Sequence, residues 1–311
     1  RTGRKHMTYR TRFAPSPTGP LHLGHAYSAL LARDMAEAHR GDFLLRIEDI
    51  DQSRARPHWE AQIYDDLAWL GLTWPQPVMR QSDRLDVYNA ALRKLWALGL
   101  LFHCTCNRRD IQEAASAPQE GGAPITGPDG IVYPGTCRHR HSQDGAVPFP
   151  ENAALRLDMA RAAAMLSQPE ALAFLETGQG PDGQTGHIRF TEEYLLTTIG
   201  DVVLCRRDMG TSYHLSVVLD DAAQGITHVV RGRDLFEASK IHVVLQRVLG
   251  LPVPTYHHHD LIRDAEGKRL AKRDDARAIA KYRDELIAET SEENNPASDE
   301  QLLREQMLIK K

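Results

Sequence analysis

Between Arg12 and His25 the chain reads Arg-Phe-Ala-Pro-Ser-Pro-Thr-Gly-Pro-Leu-His-Leu-Gly-His, and those residue types suit an anion. His22 and His25 are three apart, so both imidazoles can project from one helical turn and donate to phosphate oxygens. Gly24 between them lets a ligand approach the backbone closely. A helix starting there adds unpaired N–H groups and the positive end of its dipole. A second constellation is built of sulfur. Cys104-Thr-Cys106 is followed in a Gly/Pro-rich stretch by Cys137, and three thiolates can close most of a tetrahedral zinc centre. The fourth position is open to Tyr133, His139, His141, His103 or water; on chemistry alone histidine is the usual choice. Cys205 reads as an ordinary core thiol. Arg108-Arg109, Arg138-His-Arg140, Arg206-Arg207, Arg231-Gly-Arg233 and Lys268-Arg269 with Lys272-Arg273 are basic clusters. Such patches can hold phosphates even on an acidic protein.

The elements that must position these groups follow from period and punctuation. Arg10–Ala14 reads as a strand, broken by Pro15, Pro17, Gly19 and Pro20. A helix runs from about Gly24 to Ala38, ends at Gly41, and Phe43–Ile47 is a second apolar strand. This β-loop-α-β opening predicts an α/β fold with a parallel sheet, and the loop sits where such sheets bind ligands. Pro57–Leu70 predicts an amphipathic helix with Trp59, Ile63, Leu67 and Leu70 on one face. Arg84–Leu98 and Phe236–Leu249 predict two more. Phe102–Cys106 is extended, residues 114–150 form an irregular insertion, and Glu176–Gly186 is a glycine-rich surface loop. Val202–Cys205 predicts a strand, regular structure returns at Leu215–Leu219 and Thr227–Val230, and Tyr213 by itself reads as a half-buried sheet residue. The segment 276–311 predicts one or two peripheral helices or a frayed tail.

Length and composition set the outer limits. With 311 residues, 41% hydrophobic and 26% charged, the chain can bury a substantial core without staples, which excludes intrinsic disorder for most of it. No apolar run is long enough to span a bilayer as a helix. Residues 1–9 read as a tag or leader outside the fold, and the start has no secretory pattern. Four cysteines do not make a disulfide scaffold in a chain this long. A cytoplasmic monomer with no membrane partner is expected. The net charge of −4 does not by itself advertise a nucleic-acid binder.

The motifs in register resemble a known family. His22-Leu-Gly-His25 is similar to the HIGH signature of class I aminoacyl-tRNA synthetases, and the whole string from Arg12 is similar to the glutamyl and glutaminyl branch. The resemblance continues through Leu44–Asp51, Val217–Leu235 and Gly267–Ala276. It implies a Rossmann-like parallel-sheet nucleotide-binding domain with an inserted zinc-bearing α+β subdomain. It implies activation of an amino acid by ATP with Mg²⁺, the metal held mainly by phosphates and water. His22, Gly24 and His25 would then contact ATP. Lys272 matches the second lysine of the KMSKS loop and would neutralise charge on the leaving pyrophosphate. Arg269 stands for the first lysine and keeps its charge, whereas Ala271 lacks the serine hydroxyl. The amino acid implied is L-glutamate. Arg12 and Arg231 would be its cationic partners, Glu48 would hold its ammonium, and Tyr213 and Ser16 would complete the pocket.

By the same resemblance the halves of the catalytic domain are residues 10–103 and 191–276, with the zinc-bearing subdomain at 104–190. The remaining 277–311 is expected to be too short for an anticodon-binding domain. With Cys104, Cys106 and Tyr133-x-x-x-Cys137, that resembles a truncated subfamily that attaches glutamate to queuosine in the anticodon loop of tRNA(Asp). It implies a structural Zn²⁺ with Tyr133 as the fourth ligand. The alternatives are a catalytic fragment that charges the tRNA 3′ end, and a synthetase-like binding protein without activity.

Overall fold

The computed structural model describes residues 8–116, 124–141, 147–262 and 278–284. Strand β1 (Arg10–Phe13) leads into helix α1 (Leu23–Ala38), which returns to β2 (Asp42–Ile47). The two strands pair in parallel, Arg12 opposite Leu44. Pro15, Pro17 and Pro20 have no N–H to give a ladder, so β1 stops at Phe13 and the next helix or strand is α1. Helix α2 (Pro57–Trp69) opens with proline at its first position, where no N–H is needed. It carries the chain to β3 (Met79–Arg80), parallel to β2. Ile63, Leu67 and Leu70 are buried beneath it as expected, while Trp59 is half-buried.

Helix α3 (Leu85–Ala97) and strand β4 (Leu101–His103) end the first stretch. Helix α4 (Arg108–Ala115) and the hairpin β5 (Thr126–Gly127) and β6 (Gly130–Ile131) follow. Strand β7 (Leu155–Leu157) pairs antiparallel with β4. Helix α5 (Met159–Met165) and the antiparallel pair β8 (Ala173–Glu176) and β9 (Gly186–Arg189) come next. The glycine-rich 176–186 segment is the connection between that pair. A short helix α6 (Glu192–Tyr194) continues as a wider turn over Leu195–Ile199. Strand β10 (Val203–Cys205) completes the β4–β7 sheet from the other side.

Helix α7 (Tyr213–Ala223), strand β11 (His228–Gly232), helix α8 (Ala238–Leu249) and strand β12 (Thr255–His259) close the second α/β unit. Tyr213 is therefore the first residue of a helix, capped by the Ser212 hydroxyl that accepts from Leu215 N at 3.3 Å, and not a sheet residue. The local signal was the serine cap, which outranks the β-propensity of tyrosine. Strands β11 and β12 are parallel, and β8 runs parallel to β12 with β9 antiparallel beyond it. So β8 and β9, within the span expected as an insertion, hydrogen-bond to the sheet of the second unit.

The two parallel sheets meet where Thr227 N donates to Arg10 O at 3.0 Å. The order β3-β2-β1 on one side and β11-β12-β8 on the other makes β1 and β11 the place where succession reverses. That switch point is where open α/β sheets leave a crevice at their carboxyl ends. One apolar cluster fills the space under α1 and α2, and a larger one lies under α3, α7 and α8. Together they fix the strand ends that face the crevice. Among the described residues no helix is long and apolar enough to cross a membrane.

Candidate active site

The crevice holds a cavity of about 370 Å³. Arg12 from β1, His22, Gly24 and His25 from the start of α1, Glu48 after β2, Tyr213 of α7 and Arg231 of β11 all line it. Seven candidates scattered over 220 positions of sequence are thereby gathered at one place. His25 Nδ1 accepts from the His22 backbone N–H at 3.1 Å. A backbone N–H can only donate, so a neutral His25 carries its proton on Nε2 and can offer it to an oxyanion. The two imidazoles lie 3.9 Å apart. A Cβ on Gly24 would come within 3.2 Å of the His22 ring, so glycine keeps the ring in place as well as opening the backbone.

Beneath the cavity lies a buried quartet of charges that sequence reading only half supplied. Arg46, fully buried, donates to Asp221 Oδ1 at 2.8 Å and to Glu48 Oε1 at 3.0 Å. Arg12 donates to the same Asp221 through Nε at 2.9 Å. Two cations and two carboxylates balance, as burial demands. Burial pushes the Glu48 carboxyl up, and Arg46 and Arg12 only partly offset it. An arriving ammonium would favour the ionised form. The signal for Arg46 was its place two residues before Glu48, which directly follows β2, so that extended backbone turns both side chains to the same face. For Asp221 it was an acid following the apolar run Val217–Leu219.

Arg231 sits deeper. Its Nε donates to His258 Nε2 at 3.2 Å, Nη1 to the Tyr213 hydroxyl at 3.4 Å and to His242 Nδ1 at 3.3 Å. Its Nη2 donates to Ser239 Oγ at 2.6 Å and Leu235 O at 3.3 Å. All five N–H donors are engaged. Because guanidinium only donates, the Tyr213 hydroxyl keeps its own proton for a ligand. Ser28 Oγ lies 2.6 Å from His259 Nε2 on the cavity wall. Nothing in the sequence flagged either residue.

A second, larger cleft of about 1270 Å³ adjoins the first, sharing Glu48, Tyr213 and Leu235 with it. Ser16 is exposed and lines this cleft, not the smaller cavity. Arg54, Arg108, Arg156 and Arg206 also line it. Arg269 and Lys272, with Ala271 between them, lie outside the described residues.

The larger cleft reaches Cys106, which belongs to a sulfur cluster. The thiol atoms of Cys104, Cys106 and Cys137 lie within 4.8 Å of one another. Cys106 and Cys137 sulfurs are 3.6 Å apart, and the Tyr133 hydroxyl is 3.5 Å and 3.4 Å from the sulfurs of Cys104 and Cys106. A tetrahedral zinc ion requires S···S edges of about 3.8 Å and S···O edges of about 3.5 Å, so the donor set fits. His141 is taken by Asp158 at 3.0 Å, and His139 is exposed. Burial raises the Cys137 thiol, but hydrogen bonds from Thr105 and Tyr133 outweigh it and hold it at about 6. Arg156 lies over the Tyr133 ring at 4.1 Å and donates to Cys104 Sγ at 3.4 Å. Cys205 stands apart in β10, its thiol pushed up to about 11 by burial.

Residues 8–286 match the family described as tRNA synthetases class I (E and Q), catalytic domain. The chain is 64% identical to a Glutamyl-Q tRNA(Asp) synthetase of Rhodobacter capsulatus over 88% of this chain and 95% of that protein. It is 40% identical to one of Symbiobacterium thermophilum, over 88% of this chain and 80% of that protein. Among solved structures it is similar to a glutamate tRNA ligase from Elizabethkingia meningosepticum in complex with its amino acid, with 28% identity and a TM-score of 0.65. That match covers 86% of this chain and 52% of the ligase, so the chain spans about half the ligase's length. Mycobacterium tuberculosis methionyl-tRNA synthetase in complex with methionyl-adenylate shares the fold at a TM-score of 0.57.

Proposed function

The chain belongs to the class I tRNA synthetases of the glutamate and glutamine branch and, within it, to the family of the glutamyl-Q tRNA(Asp) synthetases, and on that footing we propose that it activates L-glutamate with ATP without needing tRNA and transfers the glutamyl group to queuosine at the wobble position of tRNA(Asp). The observation that carries this reading is the single cavity in which His22, His25, Arg12, Glu48, Tyr213 and Arg231 converge. Activation joins a glutamate carboxylate oxygen to the α-phosphorus and releases pyrophosphate. No protein nucleophile takes part, so alignment and charge neutralisation supply the rate.

In this reading His25 Nε2–H and His22 steady the phosphates at the start of α1, with Gly24 giving ATP its approach. Glu48 takes the α-ammonium, and Arg12 and Arg231 set the positive field for the carboxylates. The Tyr213 hydroxyl donates to one of them. Ser16 borders the neighbouring cleft, so it would act at the edge of the pocket. Lys272 and Arg269 would offset charge on the pyrophosphate, and Mg²⁺ would arrive with ATP. Residues 10–103 and 191–276 form the catalytic halves, and the 104–190 span, whose β8 and β9 complete the catalytic sheet, carries the metal. Cys104, Cys106, Tyr133 and Cys137 would hold Zn²⁺, which when bound ties β4 to the segment after β6. The arginine-lined cleft between that centre and the cavity would take the anticodon loop, bringing the queuosine hydroxyl to the adenylate.

The similarity to a glutamate tRNA ligase favours one other reading, attachment to the 3′ adenosine. RNase digestion and mass spectrometry of tRNA charged by the enzyme separates them. Glutamate on the fragment bearing the wobble base is expected, and glutamate only on the 3′ end would refute the proposal.

A further inference from the structure

The two clefts are joined through two buried histidines, His214 and His242, that the activation chemistry does not use. Asp129 Oδ1 lies 3.0 Å from His214 Nε2, and His214 Nδ1 lies 3.1 Å from His242 Nε2. His242 Nδ1 in turn lies 3.3 Å from Arg231 Nη1. Guanidinium can only donate, so His242 Nδ1 accepts and its proton sits on Nε2. That proton goes to His214 Nδ1, which leaves the His214 proton on Nε2, directed at Asp129. One donor with no freedom thus fixes both tautomers. Arg231 Nε does the same on its other side, through His258 to Glu176 Oε2. Burial keeps His242 well below its ordinary range and so neutral.

Asp129 sits in the turn of the β5–β6 hairpin, four residues before Tyr133. The hairpin has little room to move, because a Cβ on Gly127 would lie 1.9 Å from Thr198 O. Its carboxylate is partly exposed and lines the larger cleft, whereas Arg231 lines the smaller one. A neutral imidazole pair ending on a carboxylate is polarised toward it and is the stronger acceptor for Arg231.

We propose that Asp129 is a positioning residue for Arg231, acting through His214 and His242, so that the hairpin of the sulfur module sets how firmly the guanidinium in the amino-acid pocket is held. This rests on the reading of the smaller cavity as the glutamate site. The test is glutamate-dependent ATP–pyrophosphate exchange with Asp129→Ala and Asp129→Asn, with long-range proton–nitrogen NMR of the histidine rings. Asp129→Ala should raise the glutamate KM about five-fold, with kcat, ATP KM and melting temperature unchanged. Asp129→Asn, whose side-chain carbonyl still accepts from His214, should recover most of the affinity. The wild-type spectra should show Nε2–H tautomers at both histidines, and Asp129→Ala should shift both. An unchanged KM together with unchanged ring signals overturns the relay. If the wild type shows no glutamate-dependent exchange, the function reading fails, and the ring signals alone still decide the relay.

Discussion

Arg12 is held by Asp221, whose two carboxylate oxygens accept from its Nε at 2.9 Å and its Nη2 at 3.4 Å. The same carboxylate takes Arg46, so one acid compensates two cations that are each at most 6% exposed. Asp221→Ala leaves both without that partner and should cost about 3–5 kcal/mol of stability, measured as a drop in the urea midpoint at pH 7. Burial raises the Asp221 carboxyl, but Arg12 and Arg46 outweigh it and hold it below the usual range. A group depressed on folding contributes stability that is present above its unfolded pKa and lost as pH falls through the folded one. The wild type should therefore lose stability below about pH 4, and Asp221→Asn should flatten that limb. An acid limb unchanged in the variant would contradict the assignment.

Arg231→Ala should raise the glutamate KM in exchange assays more than it lowers kcat, because it removes a positive field that would act on the substrate carboxylates before and during reaction alike. The comparison with Arg12→Ala is informative. Arg12 is committed to Asp221, so its loss should reduce stability as well, which melting curves would register.

Lys272→Ala should lower the exchange kcat strongly, with glutamate KM and melting temperature little changed, since charge on the departing pyrophosphate develops only in the transition state. An exchange rate equal to wild type would reject the role. Ala271→Ser restores a hydroxyl to the loop and should leave activity the same or higher.

Cys104→Ser should lower zinc content, read by metal analysis, and the melting temperature, while glutamate-dependent exchange persists. Tyr133→Phe is the sharper variant. It keeps the ring under Arg156 but deletes the oxygen 3.4–3.5 Å from two sulfurs. If the hydroxyl is a ligand, zinc affinity should fall about 10-fold or more. Retention of full affinity would move the fourth position to water.

How far the chain could be read without coordinates depended on whether a residue's role was local. The proline break before α1, the leading proline and apolar period of α2 and the apolar face of α3 are short-range signals, and those helices begin and end within a residue or two of expectation. His22 and His25 were legible as a pair because their three-residue spacing after a proline-broken strand is a local signal, and both line the cavity. Arg46 and Asp221 were not, because each means something only when β2 and α7 meet across 175 positions. The same holds for Asp129 with His214, and for Ser28 with His259. Ser16 was placed by motif, yet it faces the neighbouring cleft, since a loop's side-chain direction is set by backbone that period-based reading does not resolve. The pairing of β8 with β12 was hidden for a similar reason: a one-residue bridge, Glu176 opposite Tyr256, leaves no pattern.

His22 forms an isolated antiparallel bridge with Ala278, and Ile279 N donates to Leu21 O at 2.9 Å. Ile279 is wholly buried there, while Ile262 lines the cavity from the other side. Residues 278 and 279 are thus stitched by their backbone to the loop that carries His22. The bridge joins positions 256 apart in the chain, so it closes a very long loop, and burial of the Ile279 side chain helps to offset the entropy of that closure. Arg283, which donates to the buried Asp66 at 3.4 Å, is part of the mooring. Cutting that link should unfasten residues 278–284 from α2 while leaving the residues that line the cavity in place.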